Sequence, residues 1–268
     1  MPMLFYDVGM DPYFDTNKTS WNLRVQTHFD SKFYDVPGFL AGKTSLNIIE
    51  REGLPVVSGK QLLHLQCHFG LDSLSLARMG AQVTGVDISD QAIAKAQLLQ
   101  QQTQLDAIFV CQDVYTFGKQ SKQLYDIVYT SYGAICWLPD LNLWAQIIAK
   151  QLKTGGQFYM AEFHPILDLL AGYSYFHQQK PDISSEGTYT ENCDGSEHEF
   201  AVWSHPISDV ISALINAGLL IEKVEEFDYS PYNCFENMYE RTKGEFCLKH
   251  KDQLAPMVYS VLATKPRT

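Results

Sequence analysis

The chain has 268 residues, enough for one elaborated α/β domain, and its 46% hydrophobic and 19% charged residues are typical of a soluble globular protein. It contains no run of about eighteen apolar residues that could span a bilayer. Its formal net charge of −11 works against a polyanionic partner, because nucleic-acid binding depends on Lys and Arg contacts to phosphates. These properties exclude an integral membrane protein and argue against nucleic-acid binding.

The cysteines and the first residues indicate the compartment. Six cysteines are scattered without a CxxC pair, which favours reduced thiols over a disulfide framework or a zinc site. The first twenty residues contain acids and lack the basic and then apolar order of a secretory signal. We therefore expect a cytoplasmic protein without a metal ion.

Residues 1–58 precede the first predicted strand and are rich in aromatic side chains. Helical patterns begin at Trp21 and again near Thr44, where Lys43 to Ser45 would cap a helix that ends before Gly53 and Pro55. The segment therefore predicts a helical cap within the same domain as the rest of the chain. Its aromatic side chains either fill the core or form a lid over a ligand.

Strands and helices alternate from residue 59 onward. Short apolar runs predict strands near 62–65, 82–87, 107–111, 124–131 and 157–163, and helix formers with apolar faces predict helices near 71–81, 90–104 and 144–152. A further helix is predicted over 206–217, with strands over 219–227 and 257–264. The stretches 166–205 and 229–255 lack this order and are read as insertions into a core that spans 59–268.

This alternation predicts an α/β fold with a doubly wound, mostly parallel sheet. The ligand crevice of such a sheet lies at the carboxyl ends of its strands. Gly70, Asp87, Asp113 and Ser131 all fall at that edge. We therefore expect a nucleotide-like ligand there.

The residue types at this edge suit different parts of a nucleoside. The amides of a tight turn and a helix N-terminus hold negatively charged groups, whereas an acid at the tip of the next strand suits vicinal ribose hydroxyls. Asp87 has that position, twenty-one residues after Gln66. Asp113 and the Val114 amide suit an adenine edge, and Ile88 suits its face. The alternatives are that Asp87 caps the following helix and that Asp113 is an ordinary turn residue.

The chain resembles the class I S-adenosylmethionine-dependent methyltransferases from His64 to about Glu162, and more loosely to its end. Four segments are similar to family motifs: Thr84-Gly85-Val86-Asp87-Ile88-Ser89, Gln112-Asp113-Val114, Tyr125-Asp126-Ile127-Val128 and Leu152-Lys153-Thr154-Gly155-Gly156. The first motif, DxGxG in the family, reads His64-Leu65-Gln66-Cys67-His68-Phe69-Gly70 here. His64 replaces the acid, and Gln66 and His68 replace two glycines.

The resemblance implies a seven-stranded sheet whose last strand is antiparallel, with an N-terminal helical cap and inserted loops. It implies S-adenosyl-L-methionine as cofactor and S-adenosyl-L-homocysteine as product. The residues expected to contact the cofactor are Gln66, Cys67, His68, Gly70, Asp87, Ile88, Asp113, Val114 and Ser131. The expected reaction is methyl transfer to an O, N or C nucleophile.

Candidates for the chemistry follow the fourth and fifth predicted strands. Glu162 and His164 are the acid/base candidates, with a structural hydrogen-bonding role as the alternative for His164. Tyr132 and Trp137 are expected to wall the substrate pocket. Aromatic residues of the cap and of the two insertions could enclose the acceptor or form an interface.

Two other functions compete with a methyltransferase. An NAD-dependent oxidoreductase would need glycines at 66, 68 and 71, where the chain has Gln66, His68 and Leu71. A cofactor-binding sensor or scaffold without catalysis is the second. The chain also lacks the (N/D)PP(Y/F) motif of amino-directed nucleic-acid methylases, so a small-molecule acceptor and a monomer or homodimer are expected.

Overall fold

The computed structural model describes residues 12–233 and 235–267. Residues 1–11 of the predicted cap therefore lie outside the described part, as do Cys234 and Thr268. None of the helices within the described part is long and apolar enough to cross a membrane.

Helices and strands are numbered in chain order. The helices are α1 (Pro12–Phe29), α2 (Val36–Leu40), α3 (Ile48–Gly53), α4 (Leu71–Arg78), α5 (Asp90–Thr103), α6 (Val114–Gln120), α7 (Leu141–Gln151), α8 (Ile166–Leu170) and α9 (Ile207–Asn216). The first strands are β1 (Gln61–Leu65), β2 (Gln82–Asp87), β3 (Ala107–Cys111), β4 (Tyr125–Thr130) and β5 (Leu152–Phe163). The others are β6 (Asp182–Glu186), β7 (His198–Val202), β8 (Leu220–Phe227), β9 (Tyr239–Thr242), β10 (Glu245–Cys247), β11 (Lys249–His250), β12 (Gln253–Leu254) and β13 (Val258–Thr264). A short 3-10 helix, Ile135–Trp137, follows β4.

The centre of the molecule is a sheet that, among the described residues, has seven strands in the order β3-β2-β1-β4-β5-β13-β8. Strands β1 to β5 pair in parallel, and β13 runs antiparallel to both of its neighbours. Parallel pairing requires crossover connections, which the helices supply. The predicted doubly wound, mostly parallel sheet with an antiparallel last strand is confirmed.

The sheet buries side chains on both faces. Successive residues of a strand point to opposite faces, so Leu62 joins one core while Leu63 and Leu65 join the other. The first core includes residues of the N-terminal cap, and the second includes Trp144 of α7. This burial on both faces explains why the leucines of β1 do not alternate with exposed polar residues.

Hydrogen bonds join the N-terminal cap to the 166–205 insertion. The buried amide of Asn17 donates to the Ala201 carbonyl and accepts from its N–H, both at 2.8 Å. The Asn192 amide also donates to the Thr27 carbonyl oxygen at 2.8 Å. The hairpin of β6 and β7 therefore packs on α1, so that two segments far apart in sequence form one layer.

The second predicted cap helix begins later than its sequence pattern indicates. It starts at Ile48 instead of near Thr44, because the N–H and hydroxyl of Ser45 are both bound to Ser75 Oγ, at 3.0 and 2.9 Å. Asn47, at the cap position, commits its amide to Tyr232 Oη at 2.8 Å. Tertiary contacts therefore hold this stretch extended.

The glycine pair at 155 and 156 lies inside β5 and does not separate a helix from a strand. Helix α7 already ends at Gln151, and β5 begins at Leu152. Gly155 has φ +76°, and a Cβ on Gly156 would lie 2.9 Å from the Lys153 carbonyl oxygen and 3.0 Å from that of Asp126. The pair therefore serves a close approach of backbone to backbone.

The contact between α6 and α7 gives a test of the packing. A Cβ at Gly118 would lie within 2.7 Å of three side-chain carbons of Ile147. Alanine favours a helix over glycine by about 1 kcal/mol, but overpacking a closed core costs about 1–3 kcal/mol. We therefore expect Gly118→Ala to lower the free energy of unfolding, measured by urea denaturation.

An Ile147→Ala background removes the three opposing carbons. In that background the same Gly118→Ala replacement should be neutral or stabilising. A loss of equal size in both backgrounds would contradict this packing.

Candidate functional site

A cavity of about 700 Å³ lies at the carboxyl edge of β1 to β4, within the range of about 300–1,000 Å³ typical of small-molecule sites. Its lining includes all nine residues expected to contact a cofactor: Gln66, Cys67, His68, Gly70, Asp87, Ile88, Asp113, Val114 and Ser131. Tyr132 and Trp137, the expected substrate-pocket walls, also line it. The common edge of parallel strands thus brings eleven sequence-predicted residues to one cavity.

The carboxylate of Asp87 joins two turns of the site. Oδ2 accepts from the His68 N–H at 2.7 Å, and Oδ1 accepts from the Ser89 N–H at 2.9 Å. Burial raises the pKa of Asp87 to about 6, against the lowering effect of these amides. The hydroxyl of Ser89, and not Asp87, caps α5 by accepting from the Ala92 N–H at 3.0 Å. Asp87 is therefore mostly ionised at neutral pH and free of the alternative capping role.

The turn after β1 keeps a glycine-type backbone without its glycines. Gln66, His68 and Gly70 have φ of 56°, 50° and 79°, all in the left-handed region. This region costs a residue with a side chain about 1–2 kcal/mol. Gln66 Nε2 donates to the Ala134 carbonyl oxygen at 2.7 Å, while its Oε1 is buried and has no partner among the described residues.

The ring of His68 lies in an aromatic enclosure. Its centroid is 4.2 Å from that of Phe69, 5.2 Å from those of Trp21 and His28, and 5.4 Å from that of Tyr34. Nε2 is buried without a hydrogen-bond partner in the described part of the chain. Burial holds the pKa of His68 well below its usual range, so the ring is neutral.

His64 occupies the position of the acid in the family's first motif. Its Nδ1 is 2.9 Å from Ser73 Oγ, and its Nε2 is 3.2 Å from Ser131 Oγ. Burial lowers the pKa of His64 to about 3, so it is neutral at physiological pH. The imidazole therefore connects α4 to the end of β4 through uncharged hydrogen bonds.

Asp113 has a local structural role at the start of α6, and it also lines the cavity. Its Oδ1 accepts from the Thr116 N–H at 2.9 Å and so caps α6. The other carboxylate oxygen has no such bond to the helix. The expected contact of Asp113 and Val114 with adenine stays a prediction.

Glu162 does not reach the cavity lining. Four backbone N–H groups donate to its buried carboxylate: those of Gly133, of Ala134 at 2.9 Å, of Ile135 at 3.1 Å and of Phe163 at 2.7 Å. Burial raises the pKa of Glu162 to about 7, and these amides act in the opposite direction. The contacts favour a positioning role for Glu162, which holds the loop after β4. Its predicted catalytic role stays a prediction.

His164 is also absent from the cavity lining. Its Nδ1 accepts from the Ile166 N–H at 3.1 Å, so Nε2 carries the proton and donates to Glu226 Oε1 at 2.9 Å. Burial lowers the pKa of His164, and Glu226 partly offsets this. Both ring nitrogens are occupied, which favours the structural alternative over the predicted acid/base role.

An aromatic wall, formed by Phe33, Tyr132, Phe163, Tyr232 and Phe235, lines the cavity away from Asp87. Ring centroids are 5.2 Å apart for Tyr132 and Tyr232, 5.1 Å for Phe163 and Phe235, and 5.3 Å for Phe33 and Tyr232. These residues come from the cap, from the ends of β4 and β5, and from the 229–255 insertion. Their abundance was visible in the sequence, but their meeting point was not.

Two carboxyl groups near this wall, those of the buried Glu50 and the partly buried Asp72, were missed by sequence reasoning. Tyr132 Oη donates to Glu50 Oε2 at 2.8 Å, while Glu50 Oε1 is buried without a partner among the described residues. Burial, and secondarily Asp72, raises the pKa of Glu50 to about 7. Asp72, the second residue of α4, lines the cavity. The available signal was an acid within an apolar helical run, Ile48-Ile49-Glu50.

Potential metal ligands do not cluster here. No group of three or more His, Cys, Asp or Glu side chains within residues 12–233 and 235–267 is placed to hold a metal ion. The five cysteines in that part of the chain are free.

Comparison with known proteins identifies a methyltransferase domain in the chain. Residues 62–156, which include β1 to β4 and the start of β5, match the family model of a methyltransferase domain. An S-adenosylmethionine-dependent methyltransferase structure from Clostridium acetobutylicum ATCC 824 superposes with a TM-score of 0.58 at 14% identity, over 92% of this chain and 99% of that one. A putative S-adenosylmethionine-dependent methyltransferase from Listeria monocytogenes gives 0.57 at 18% identity, over 81% and 96%. Residues 62–156 therefore form a methyltransferase domain, and the chain has the fold of S-adenosylmethionine-dependent methyltransferases.

Two curated relatives of the chain carry the same name, ubiquinone biosynthesis O-methyltransferase. A ubiquinone biosynthesis O-methyltransferase from Coxiella burnetii (strain Dugway 5J108-111) is 29% identical over 199 residues, 73% of this chain and 77% of the relative. The protein of that name from Idiomarina loihiensis is 34% identical over 105 residues, 38% of this chain and 42% of the relative. The similarity to the Coxiella protein extends well beyond the matched domain.

The cavity residues of the methyltransferase fit its cofactor, S-adenosylmethionine. A carboxylate at the end of β2 suits the ribose hydroxyls, and the unpartnered Gln66 Oε1 and His68 Nε2 are polar atoms available to a ligand at the turn. The NAD-dependent alternative does not fit, because side chains stand at 66, 68 and 71 where that fingerprint needs glycines.

Glu50 gives a pH-dependent test of the buried carboxyls. In the unfolded chain its pKa is near 4.5, whereas in the folded protein it is about 7. The stability that Glu50 contributes below pH 4.5 is therefore lost as the pH rises to 7, by about 1.4 kcal/mol per unit of pKa difference. Glu50→Gln removes this loss, so the free energy of unfolding of the variant should rise relative to wild type between pH 5 and 8.

The measurement is urea denaturation across that pH range. Glu52→Gln, at an exposed position of the same helix, is the control and should differ from wild type by a constant amount. A constant difference for Glu50→Gln as well would contradict the raised pKa.

Proposed function

We propose that the protein transfers a methyl group from S-adenosylmethionine to an O, N or C nucleophile of a small molecule held against the aromatic wall. The observation that carries this proposal is the single cavity, which joins the nine expected cofactor contacts to that wall. The names of the curated relatives, which are O-methyltransferases, support a small acceptor with oxygen as the leading acceptor atom.

In this proposal one side of the cavity binds the cofactor and the other side binds the acceptor. The cofactor supplies a methyl group already activated on a positively charged sulfur. Asp87 binds the ribose hydroxyls, while Asp113 and the Val114 amide bind the adenine edge. The aromatic wall orients the acceptor and excludes water. Alignment of the reacting atoms in this way can remove a large part of the activation barrier.

The acceptor meets no carboxylate or imidazole from the end of β5 in this proposal. Glu162 holds the backbone of the loop after β4, and His164 joins β5 to β8 through Glu226. Glu162 therefore acts as a positioning residue for the loop that carries Tyr132 and Trp137. The net charge of −11 supports a function without nucleic acid. That the protein is a monomer or homodimer stays a prediction. The cytoplasmic location, inferred from the scattered cysteines, stays a prediction.

Methyl transfer is tested with labelled cofactor and fractionated metabolite extracts. The expected result is a labelled small-molecule product that depends on the protein. Binding of S-adenosylhomocysteine without any labelled product would favour a non-catalytic sensor.

Replacement of Asp87 tests the ribose contact. One hydrogen bond to a charged group is worth about 1.5–3 kcal/mol, so Asp87→Ala should weaken S-adenosylhomocysteine binding by about 10- to 100-fold. Isothermal titration calorimetry measures the dissociation constant. Asp106→Ala, at an exposed position before β3, is the matched control and should bind as wild type does. Unchanged affinity in Asp87→Ala would show that the carboxylate does not bind the ribose.

Replacement of His68 tests whether the turn side chains touch the cofactor. His68→Gly keeps the left-handed backbone and removes only the ring, so we expect several-fold weaker binding of S-adenosylhomocysteine. Gln104→Gly is the control, because Gln104 has a similar φ of 55° at the exposed end of α5. Unchanged or tighter binding in His68→Gly would mean that the cofactor lies beyond the reach of the ring.

A further inference from the structure

Charge is unevenly distributed around the cavity. Among the described residues that line it, none is Lys or Arg, whereas Asp35, Asp72, Asp87 and Asp113 do line it. The lining imidazole, that of His68, is neutral. An acceptor with a carboxylate or phosphate would therefore meet no positive partner and several negative charges.

Asp72 differs from the other acids in lacking a charged or capping partner. Asp35 pairs with Lys43 at 2.7 Å, whereas Asp87 binds two amides and Asp113 caps α6. The Ser45 side chain lies near the Asp72 carboxyl, and no Lys, Arg or His within the described part of the chain lies at ion-pair distance from it. The carboxyl of Asp72 therefore stands on the cavity wall without a cationic partner among the described residues.

The cations on the neighbouring segments are engaged elsewhere. Arg78, on the same helix as Asp72, donates to the carbonyl oxygens of Lys43 and Phe39 at 2.8 and 2.7 Å. Lys43 itself is bound by Asp35. Buried charges in proteins are normally paired, so an unpaired carboxyl on a cavity wall points to a cation supplied by a ligand.

The surroundings of Asp72 suit such a cation. Phenol side chains lie close enough to feel its charge, including Tyr34 and Tyr232, both of which line the cavity. The buried carboxyl of Glu50, which accepts a hydrogen bond from Tyr132, adds negative potential. Aromatic faces attract ammonium groups through their quadrupoles, by about 2 kcal/mol or more when the groups are desolvated.

We propose that the methyl acceptor carries an amino group, bound as an ammonium by Asp72 beside the aromatic wall. The inference rests on the proposed function and names its acceptor class: an aromatic or apolar amine. The same site rejects acids of equal size. Asp72 is thus a specificity-determining residue that binds the acceptor and takes no part in the methyl transfer itself.

The amino group of the cofactor is the competing partner for Asp72. The electrostatic neighbours of Asp72 favour the acceptor, because Ser45, Tyr34 and Tyr232 belong to the cap side and the aromatic side of the cavity. Asp87 and Asp113 mark the other side. A test must therefore measure binding of cofactor and acceptor separately.

Three phenols serve as probes of charge: tyramine, 4-ethylphenol and 3-(4-hydroxyphenyl)propionate. They share a ring with a short chain that ends in an ammonium, a methyl or a carboxylate. Their binding to the protein saturated with S-adenosylhomocysteine is measured by calorimetry. Tyramine should bind at least about tenfold more tightly than the propionate, a difference of about 1.4 kcal/mol, with 4-ethylphenol between them.

The variant Asp72→Asn should abolish the preference for tyramine while leaving the affinities for 4-ethylphenol and S-adenosylhomocysteine unchanged. Asp35→Asn, at a lining acid that already has a lysine partner, should keep the preference. The proposal is overturned if wild type binds the propionate as tightly as tyramine, if tyramine does not bind at millimolar concentration, or if Asp72→Asn keeps the order of the three probes.

Weaker binding of S-adenosylhomocysteine to Asp72→Asn would also overturn it, since the carboxyl would then serve the cofactor. These outcomes are separate from failure of the proposed function. That failure would appear as wild-type protein that binds no S-adenosylhomocysteine or forms no methylated product.

Discussion

The carboxylate of Asp87 joins the two turns on which the site depends. It accepts from the amide of His68, in the turn after β1, and from the amide of Ser89, in the turn after β2. Because both strands are parallel and paired, these turns lie side by side at the same edge of the sheet. One acid thereby fixes the backbone of both turns.

This clamp explains how the turn tolerates side chains where the family has glycines. The left-handed backbone of Gln66 and His68 is held by neighbouring contacts, including the bond from Gln66 to the Ala134 carbonyl. The strain is about 1–2 kcal/mol per residue, which a few such hydrogen bonds offset. Strained backbone of this kind is typical of functional sites. The side chains of Gln66 and His68 remain on the cavity surface.

The rest of the cavity is built by segments outside the sheet. The cap, the 166–205 insertion and the 229–255 insertion converge over the strand ends, and the paired hydrogen bonds of Asn17 with Ala201 hold two of them together. The resulting enclosure is aromatic and carries negative charge without a lysine or arginine among its described lining residues. An enclosure of this kind selects its ligand by charge as well as by shape.

The sequence by itself determined the order of the seven strands of the central sheet, the helices α4, α5, α7 and α9 between them, and the residues at the carboxyl edge. Burial on both faces makes the inner strands β1 and β4 rich in apolar residues, and Asp87 and Asp113 stand at or just after the ends of β2 and β3. Local pattern also reveals the capping residues, as at Ser89. The start of α3 was displaced from its predicted place because contacts distant in sequence, such as that of Ser45 with Ser75, outweigh local propensity.

Only the tertiary structure decided which polar side chains face the cavity and which support it. Glu162 and His164 are close in sequence to the strand edge, yet backbone amides and Glu226 occupy their polar atoms. Glu50 and Asp72 have no motif around them, but folding buries Glu50 under the aromatic wall and places Asp72 in the cavity lining. Sequence spacing fixes where a strand ends, whereas the direction and partners of a side chain depend on elements that arrive from elsewhere in the chain.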